Sequence, residues 1–363
     1  MTILHICAGW QKWNGAANIA RMIMDEQRRE GHEVFFATWA KVRDLRAADE
    51  VWIHCGWLPC LWWAAFWAKR ACWMPEACYD PIRLKFSAWK KKLAGPVERW
   101  ALRRCEKIVA TCEAEKGWIE AYLGEHCPKV EVTDVKRFFS LGDRSQELGV
   151  SEGFSRKERK DRKENEGNGS KQETGNKKLN LLYLGRRHPL KGVEFLEAAV
   201  AELGGGSRSR ESKSNSGIDN SFEEKNLSVN CSTSNFDSKQ IELRIVSNAF
   251  GEEKEKVWDW CDVLVLPTLS ENFGLVIAEA LERGKRVITT DGAPVWNPGD
   301  RGQELGASDE VGEGEDSSTS TLNFDSNILN GYDGRLLYLK GYRDGFDEDR
   351  ILLLNEAIKR ICK

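Results

Sequence analysis

No apolar run in this 363-residue sequence is long enough to cross a bilayer. The longest, residues 57–68, has twelve residues, against about 20 for a spanning helix. The first eight residues form a short apolar run with no basic segment before it, which is not the form of a signal peptide. Net charge is nearly absent too, at −3, so the chain as a whole makes no case for nucleic acid. The 11 cysteines contain no C-x-x-C, which excludes zinc-ribbon spacing and a thioredoxin-type motif. Their odd number, and their place inside apolar runs as at Cys60 and Cys261, read as reduced core thiols of a cytoplasmic protein. No G-x-G-x-x-G follows an expected strand, and Gly9 to Gly15 lacks the Gly-Lys-Ser/Thr ending of a P-loop. A nicotinamide dehydrogenase and a P-loop nucleotidase therefore lack support.

What is present is an alternation of strand and helix, interrupted three times. Residues 142–178, 204–239 and 301–330 are poor in large apolar side chains and rich in Gly, Ser, Asn or acidic residues. We read them as flexible insertions that cannot bury enough surface to offset chain entropy. Strands are expected at 3–7, 34–38, 51–54, 108–111, 130–133, 179–185, 241–246, 263–267, 287–290 and 336–339. Helices are expected at 16–29, 61–70, 84–104, 114–123, 192–203, 252–260, 273–283 and 347–361. Such alternation specifies an α/β protein with parallel sheets covered by helices on both faces. Ligands of such sheets bind beyond the carboxyl ends of the strands. The first insertion divides the chain into an N-terminal lobe, 1–141, and a C-terminal lobe, 179–341, with a terminal helix in 342–363.

The strongest chemical signal is Pro267-Thr-Leu-Ser-Glu271-Asn272-Phe273-Gly274-Leu275, followed by Glu279. A strand ends, a short loop follows and a helix begins near Phe273. Free amides at that helix start, with Gly274 permitting close approach, suit a phosphate. Glu271 lies just outside the helix, where its carboxylate can accept bonds from sugar hydroxyls. Glu279 follows Leu275 by four positions, so both lie on one helix face; from there a carboxylate can grip a ribose diol. A plain surface helix with two solvated glutamates is the bland alternative. The second signal, Gly185-Arg186-Arg187-His188-Pro-Leu-Lys191-Gly192, also joins a strand to a helix. Arg186 and Lys191 can converge on a diphosphate and stabilise its departure in place of a metal ion. Asp347-Glu-Asp349 has the letters of a metal-binding Asp-x-Asp but opens a helix, where acidic residues complement the dipole. No metal and no cofactor are expected.

These two stretches resemble the retaining glycosyltransferases of family 4, which have the GT-B fold: two Rossmann-like lobes facing across a cleft. The Glu-x7-Glu motif of that family falls on Glu271 and Glu279, and its Gly-Arg … Lys-Gly loop on Gly185, Arg186, Lys191 and Gly192. The resemblance implies a nucleotide-diphosphate sugar as donor substrate. Glu271 and the amides near Asn272, Phe273, Gly274 and Leu275 would read the sugar, and Glu279 would hold the nucleotide ribose. In the N-terminal lobe, Trp13-Asn14-Gly15-Ala16-Ala17 stands where the family has a Gly-rich loop beside the donor phosphate. His54-Cys-Gly56-Trp57 is similar to a His-x-Gly-Leu-Trp stretch. Met74-Pro75-Glu76-Ala77-Cys78-Tyr79-Asp80-Pro81 aligns with a Pro-His-Gly-Met-x-Asp-Pro pattern, in which Glu76 takes the place of the cleft histidine. Glu76 is a candidate to orient the donor sugar or acceptor, or to relay a proton. Thr111-Cys-Glu113-Ala-Glu115 matches the end of a large strand. Between Val246 and Cys261 there is room for one helix only, where the family has an additional strand and helix.

The N-terminal lobe is also rich in tryptophan. Trp62, Trp63 and Trp67 share one expected helix and read as core or lobe-packing residues. Trp10 and Trp13 are candidates to stack on a sugar ring. His54 is either a satisfied strand-end histidine or a cleft residue. From Lys69 to Lys107 there are eleven Lys or Arg against four Asp or Glu, interleaved with Trp89 and Trp100. Such a stretch suits the interface of an anionic membrane, unless Trp89 and Trp100 face the core. The acceptor is accordingly expected to be a glycan or a lipid-linked glycan, a precursor of surface polysaccharide or lipopolysaccharide met at the inner membrane face. A GT-B nucleotide-sugar epimerase, a phosphorylase-like enzyme and an inactive scaffold are the alternatives.

Overall fold

The structure is a computed structural model that describes residues 1–7, 15–55, 59–86, 88–139, 178–204, 223–231, 239–247, 249–299 and 324–362. The N-terminal lobe is a six-stranded, wholly parallel sheet. Its strands are β1 (Thr2–Cys7), β2 (Glu33–Ala37), β3 (Glu50–His54), β4 (Ala71–Met74), β5 (Lys107–Ala110) and β6 (Lys129–Val132), in the order β2-β1-β3-β4-β5-β6. Helices α1 (Gly15–Arg29), α2 (Val42–Ala47), α3 (Pro59–Trp67), α4 (Pro81–Phe86), α5 (Ala88–Arg103) and α6 (Glu113–Leu123) connect them. In α1, Ala16, Ile19, Ala20, Ile23, Met24 and Gln27 recur at helical spacing and are buried.

The C-terminal lobe has β7 (Leu179–Leu184), β8 (Glu223–Cys231), β9 (Lys239–Ser247), β10 (Val263–Leu266), β11 (Arg286–Thr290), β12 (Ile328–Gly331) and β13 (Leu336–Leu339), in the order β12-β13-β11-β10-β7-β9-β8. Its helices are α7 (Val193–Leu203), α8 (Glu252–Trp260), α9 (Leu275–Glu282), α10 (Phe324–Asn327) and α11 (Asp347–Cys362). The central strands are parallel and buried on both faces, as the unbroken Val263–Leu266 run requires. A single helix, α8, lies between β9 and β10, as the short spacing allows.

The structure departs from the sequence reading at several elements. The edge strands β12 and β8 are antiparallel to their neighbours, so the second sheet is mixed. Strand β8 lies inside the span read as a flexible insertion, and so do α10 and most of β12 in the next one. Leu227, Val229 and Cys231 alternate with polar residues, a strand period that the Ser/Asn-rich composition hid. Residues 140–177, 205–222, 232–238 and 300–323 lie outside the described residues. The long basic helix expected over 84–104 is two helices, α4 and α5, with Pro96 inside the second. Strand β4 and helix α2 were not expected.

The lobes meet along the carboxyl ends of both sheets. Arg83 and Asp80 follow β4, Thr111 follows β5, and all three meet the segment after β10. Arg83 Nε donates to Ser270 Oγ (2.8 Å), Ser270 Oγ donates to Asp80 Oδ2 (2.5 Å), and Thr111 Oγ1 lies 3.4 Å from Asn272 Oδ1. Asp80 is also ion-paired to Arg343, whose guanidinium lies 4.8 Å from the Trp118 ring centroid. Phe139 stacks on Phe273 at 5.2 Å, and Lys136 Nζ donates to the Val295 carbonyl (3.1 Å).

Candidate active site

The loop 267–274 is held from three sides. The Leu190 carbonyl accepts from Leu269 N (2.9 Å) and Thr268 Oγ1 (3.0 Å), and the Gly292 carbonyl accepts from Glu271 N (2.7 Å). These approaches exclude side chains. A Cβ on Gly192, which has φ +61°, would lie 2.1 Å from the Pro267 oxygen, and one on Gly292 would lie 2.1 Å from the Thr268 oxygen. Gly274 takes a left-handed conformation, φ +70°, and so turns the chain into α9. Phe273 is a core residue whose carbonyl accepts from Trp296 Nε1, so it contributes backbone and not ring to the site.

This arrangement puts Glu271 against Lys191, which is presented by a single turn of 3₁₀ helix, Pro189–Lys191. The two are ion-paired, and Asn272 N donates to Glu271 Oε1 (3.1 Å). Burial pushes the Glu271 carboxyl up, but Lys191, Arg83 and the Asn272 amide outweigh it and hold the group below the usual carboxylate range. Burial lowers the Lys191 amine, which Glu271 only partly offsets. His188 is lowered by burial and then by three cations, Arg186, Lys191 and Arg83. A cluster of positive charge therefore lines this part of the cleft. Arg186 is exposed, and its carbonyl accepts from the Tyr183 hydroxyl (2.8 Å) beside Gly185.

The two expected motifs thus converge, but not every role survives unchanged. Glu279 lies on α9 with its carboxylate held by Lys254 of α8 at 2.7 Å, so any diol it grips would share it with an amine. Gly15 opens α1 opposite Leu275, whose Cδ1 would be 3.9 Å from a Cβ there; this is the approach of the N-terminal lobe to the helix start. The acidic start of α11 is a helix start: Arg350 Nη1 pairs with Asp347 at 2.8 Å. Trp10, Trp13, Asn14, Gly56 and Trp57 lie outside the described residues. Arg83, the cation that reaches from the N-terminal lobe, was not singled out in the sequence. Its only signal was a place three residues after Asp80, inside a basic stretch.

Glu76 is turned into its own lobe. It sits at the cleft end of β4, yet its carboxyl is buried at 4% exposure and is engaged within its own lobe. Oε1 lies 3.4 Å from His54 Nδ1, and Oε2 accepts from Cys55 Sγ at 3.7 Å. Cys55, Glu76 and Ala77 all have left-handed backbones, with φ of 69°, 58° and 57°. Such strain persists only where the surroundings over-determine it. Here Glu115 does so: it accepts from Ala77 N (2.5 Å), Thr111 N (2.7 Å) and Thr111 Oγ1 (2.6 Å). Burial, then the Glu115 charge, push the Glu76 carboxyl up to about 8. His54 is fully buried at the strand end and does not face the cleft: Nε2 meets His5 Nδ1 at 2.9 Å, while Nδ1 has no hydrogen-bond partner among the described residues.

Outside the cleft, α3 and α5 expose aromatic rings. Trp63 is 45% and Trp100 48% exposed, against the expectation that Trp63 is a core or lobe-packing residue. Phe66 stacks on Trp100 at 5.6 Å, and Arg104 lies over both rings at 5.2 and 5.4 Å. Among the described residues no helix is long and apolar enough to cross a membrane.

Residues 178–309 match the family model of Glycosyl transferases group 1, which takes in both motifs. No curated protein sequence matches the chain. Among solved structures, sucrose-phosphate synthase from Thermosynechococcus elongatus is similar at TM-score 0.50 and 12% identity, over 81% of this chain and 82% of that one. WaaG, a glycosyltransferase involved in lipopolysaccharide biosynthesis, gives TM-score 0.49 and 11% identity, over 98% and 90%. The chain has the two-lobed GT-B fold, and its C-terminal lobe is a glycosyltransferase domain.

Proposed function

We propose that the chain is a retaining glycosyltransferase that uses a nucleotide-diphosphate sugar and needs no metal for the chemical step. The observation that carries this reading is the pairing of Lys191 with Glu271 at the start of α9, inside the closed edge of both sheets. Lys191, Arg186 and the amides ahead of Leu275 receive the diphosphate. Glu271 binds the transferred sugar, and Glu279 binds the ribose. As the sugar–phosphate bond breaks, negative charge grows on the leaving diphosphate; cations already in place stabilise that charge without reorganisation. The acceptor hydroxyl then attacks from the face the diphosphate leaves, and its proton passes to the departing diphosphate oxygen.

Release of nucleoside diphosphate from a panel of nucleotide sugars, measured with and without acceptor glycans, tests the activity. Nuclear magnetic resonance of the product's anomeric centre tests retention, and an inverted product excludes it. Glu271→Ala should lower turnover by about 10²-fold while the fold stays intact. Wild-type turnover in that variant would remove Glu271 from the site.

The exposed rings of α3 and α5, with Arg104 upon them, suit a lipid-linked acceptor met at an anionic membrane surface. Each basic residue near such a surface contributes about 1 kcal/mol, which salt screens. Co-sedimentation with phosphatidylserine vesicles should therefore occur at low salt and weaken in Trp100→Ala and Arg104→Glu. No binding at low salt would leave a water-soluble glycan as acceptor.

A further inference from the structure

Four buried polar side chains run in single file through the N-terminal lobe: Gln27 of α1, His5 of β1, His54 of β3 and Glu76. Gln27 Oε1 is 2.7 Å from His5 Nε2, His5 Nδ1 is 2.9 Å from His54 Nε2, and His54 Nδ1 is 3.4 Å from Glu76 Oε1. The two imidazoles stack at 5.2 Å, and Trp52 covers His5 at 5.5 Å. At its outer end Gln27 lines a cavity of about 350 Å³ that also touches Trp52 and Lys107.

The protons along this file can be assigned in order. An amide oxygen only accepts, so His5 Nε2 carries the hydrogen. A neutral imidazole carries one, so His5 Nδ1 accepts, and His54 Nε2 must donate to it. His54 Nδ1 is then an acceptor; it and Glu76 Oε1 are buried 3.4 Å apart and neither has a hydrogen-bond partner among the described residues, a lack that a proton on Oε1 would remedy for both. Both rings are neutral because burial holds them at about 3; for His5, the neighbouring His54 and Arg28 act in the same sense. Of the groups facing Glu76, the Glu115 charge acts in the same sense. From α6, Glu115 takes three donors and so acts as the acceptor-only carboxylate of the pair. Cys55, itself bonded to Cys7 of β1, donates to Glu76. That donation, and after it Arg83 of α4, favours the ionised form, but burial and the Glu115 charge outweigh both.

We propose that Gln27 is a positioning residue: through His5 and His54 it fixes Glu76 as a neutral acid whose proton points away from the cleft. The functional consequence rests on the donor-site reading above. An ionised Glu76 would partly neutralise Arg83; a neutral one leaves that guanidinium, with Lys191 and Arg186, to the diphosphate.

The test is made on the full chain. Long-range ¹H–¹⁵N spectra resolve five histidines. His5 and His54 should both show a protonated Nε2 and a bare Nδ1, unchanged across neutral pH. A protonated Nδ1 on His54 would reverse the whole file, make Glu76 the acceptor and overturn the proposal. In Gln27→Met, the two rings should lose their single tautomer. The affinity for UDP should begin to fall at a pH about one unit lower than in wild type, since the bond favouring the neutral acid is gone. Spectra and UDP profile identical to wild type would equally overturn it. Should Gln27→Met fail to fold, Gln27→Glu keeps the acceptor and should retain both Nε2–H tautomers. Failure of the wild-type chain to bind UDP at any pH would instead count against the donor site, and the tautomer result would stand by itself.

Discussion

Glu76→Gln should stabilise the protein at neutral pH, because a side-chain amide supplies the donor that His54 Nδ1 needs without titrating. The magnitude follows from the carboxyl's displacement from 4.5 to about 8. Between those values the unfolded chain releases the proton that the folded chain retains, so wild-type stability falls as pH rises, by about 1.4 kcal/mol per pH unit. The imidazoles work in the opposite sense and over a lower window. His5 and His54 stay neutral in the folded chain down to about 3. The unfolded chain binds protons there, so the stability they contribute is complete above the ordinary histidine value and is lost as pH falls toward 3. From these three groups the wild-type maximum lies near pH 6.5, about the ordinary histidine value. The assay is urea unfolding followed by tryptophan emission at a series of pH values. Between about pH 5.5 and 7.5 the stability difference should move by about 3 kcal/mol in favour of the variant. The comparison across pH cancels any fixed effect of exchanging acid for amide. Profiles that stay parallel over that interval would refute the neutral acid.

Lys191→Ala and Arg186→Ala should each raise the transfer barrier by about 2–4 kcal/mol if they stabilise the leaving diphosphate, read as kcat/KM; activity abolished by a chelator and restored by Mg²⁺ or Mn²⁺ would contradict the metal-free step. Gly192→Ala places a Cβ 2.1 Å from the Pro267 oxygen at a φ of +61°, and should destabilise by about 2–5 kcal/mol, the sum of left-handed strain and overpacking; an unchanged melting temperature would mean the loop relaxes freely. Deleting residues 207–238, expected from composition to be silent, removes β8 and bares the edge of β9. It should lower the melting temperature and promote association, and a monomer of wild-type stability would show β8 to be dispensable.

The sequence by itself determined the alternation of strand and helix, the division into two lobes and the two loops that carry the donor chemistry. Each is local information. Buried parallel strands such as Val263–Leu266 announce themselves as apolar runs, and Glu271, Gly274 and Glu279 stand at fixed offsets from one helix start. Tertiary structure decided what depends on atoms far apart in the chain. Arg83 reaches Ser270 across 187 positions, and Asp80 meets Arg343 across 263; no spacing rule encodes such pairs. Glu76 and His54, at the cleft end of their strands, suited a substrate-facing role in one dimension. In three they face each other, because His5 on the adjacent strand extends the file inward and Glu115 fixes the turn. Trp63 read as a core or lobe-packing residue because a helix without polar positions shows no preferred face; only the packing of α3 on the sheet revealed which side stayed in water. The edge strands followed the same logic, since β8 and β12 are defined by hydrogen bonds to β9 and β13 more than by their own composition.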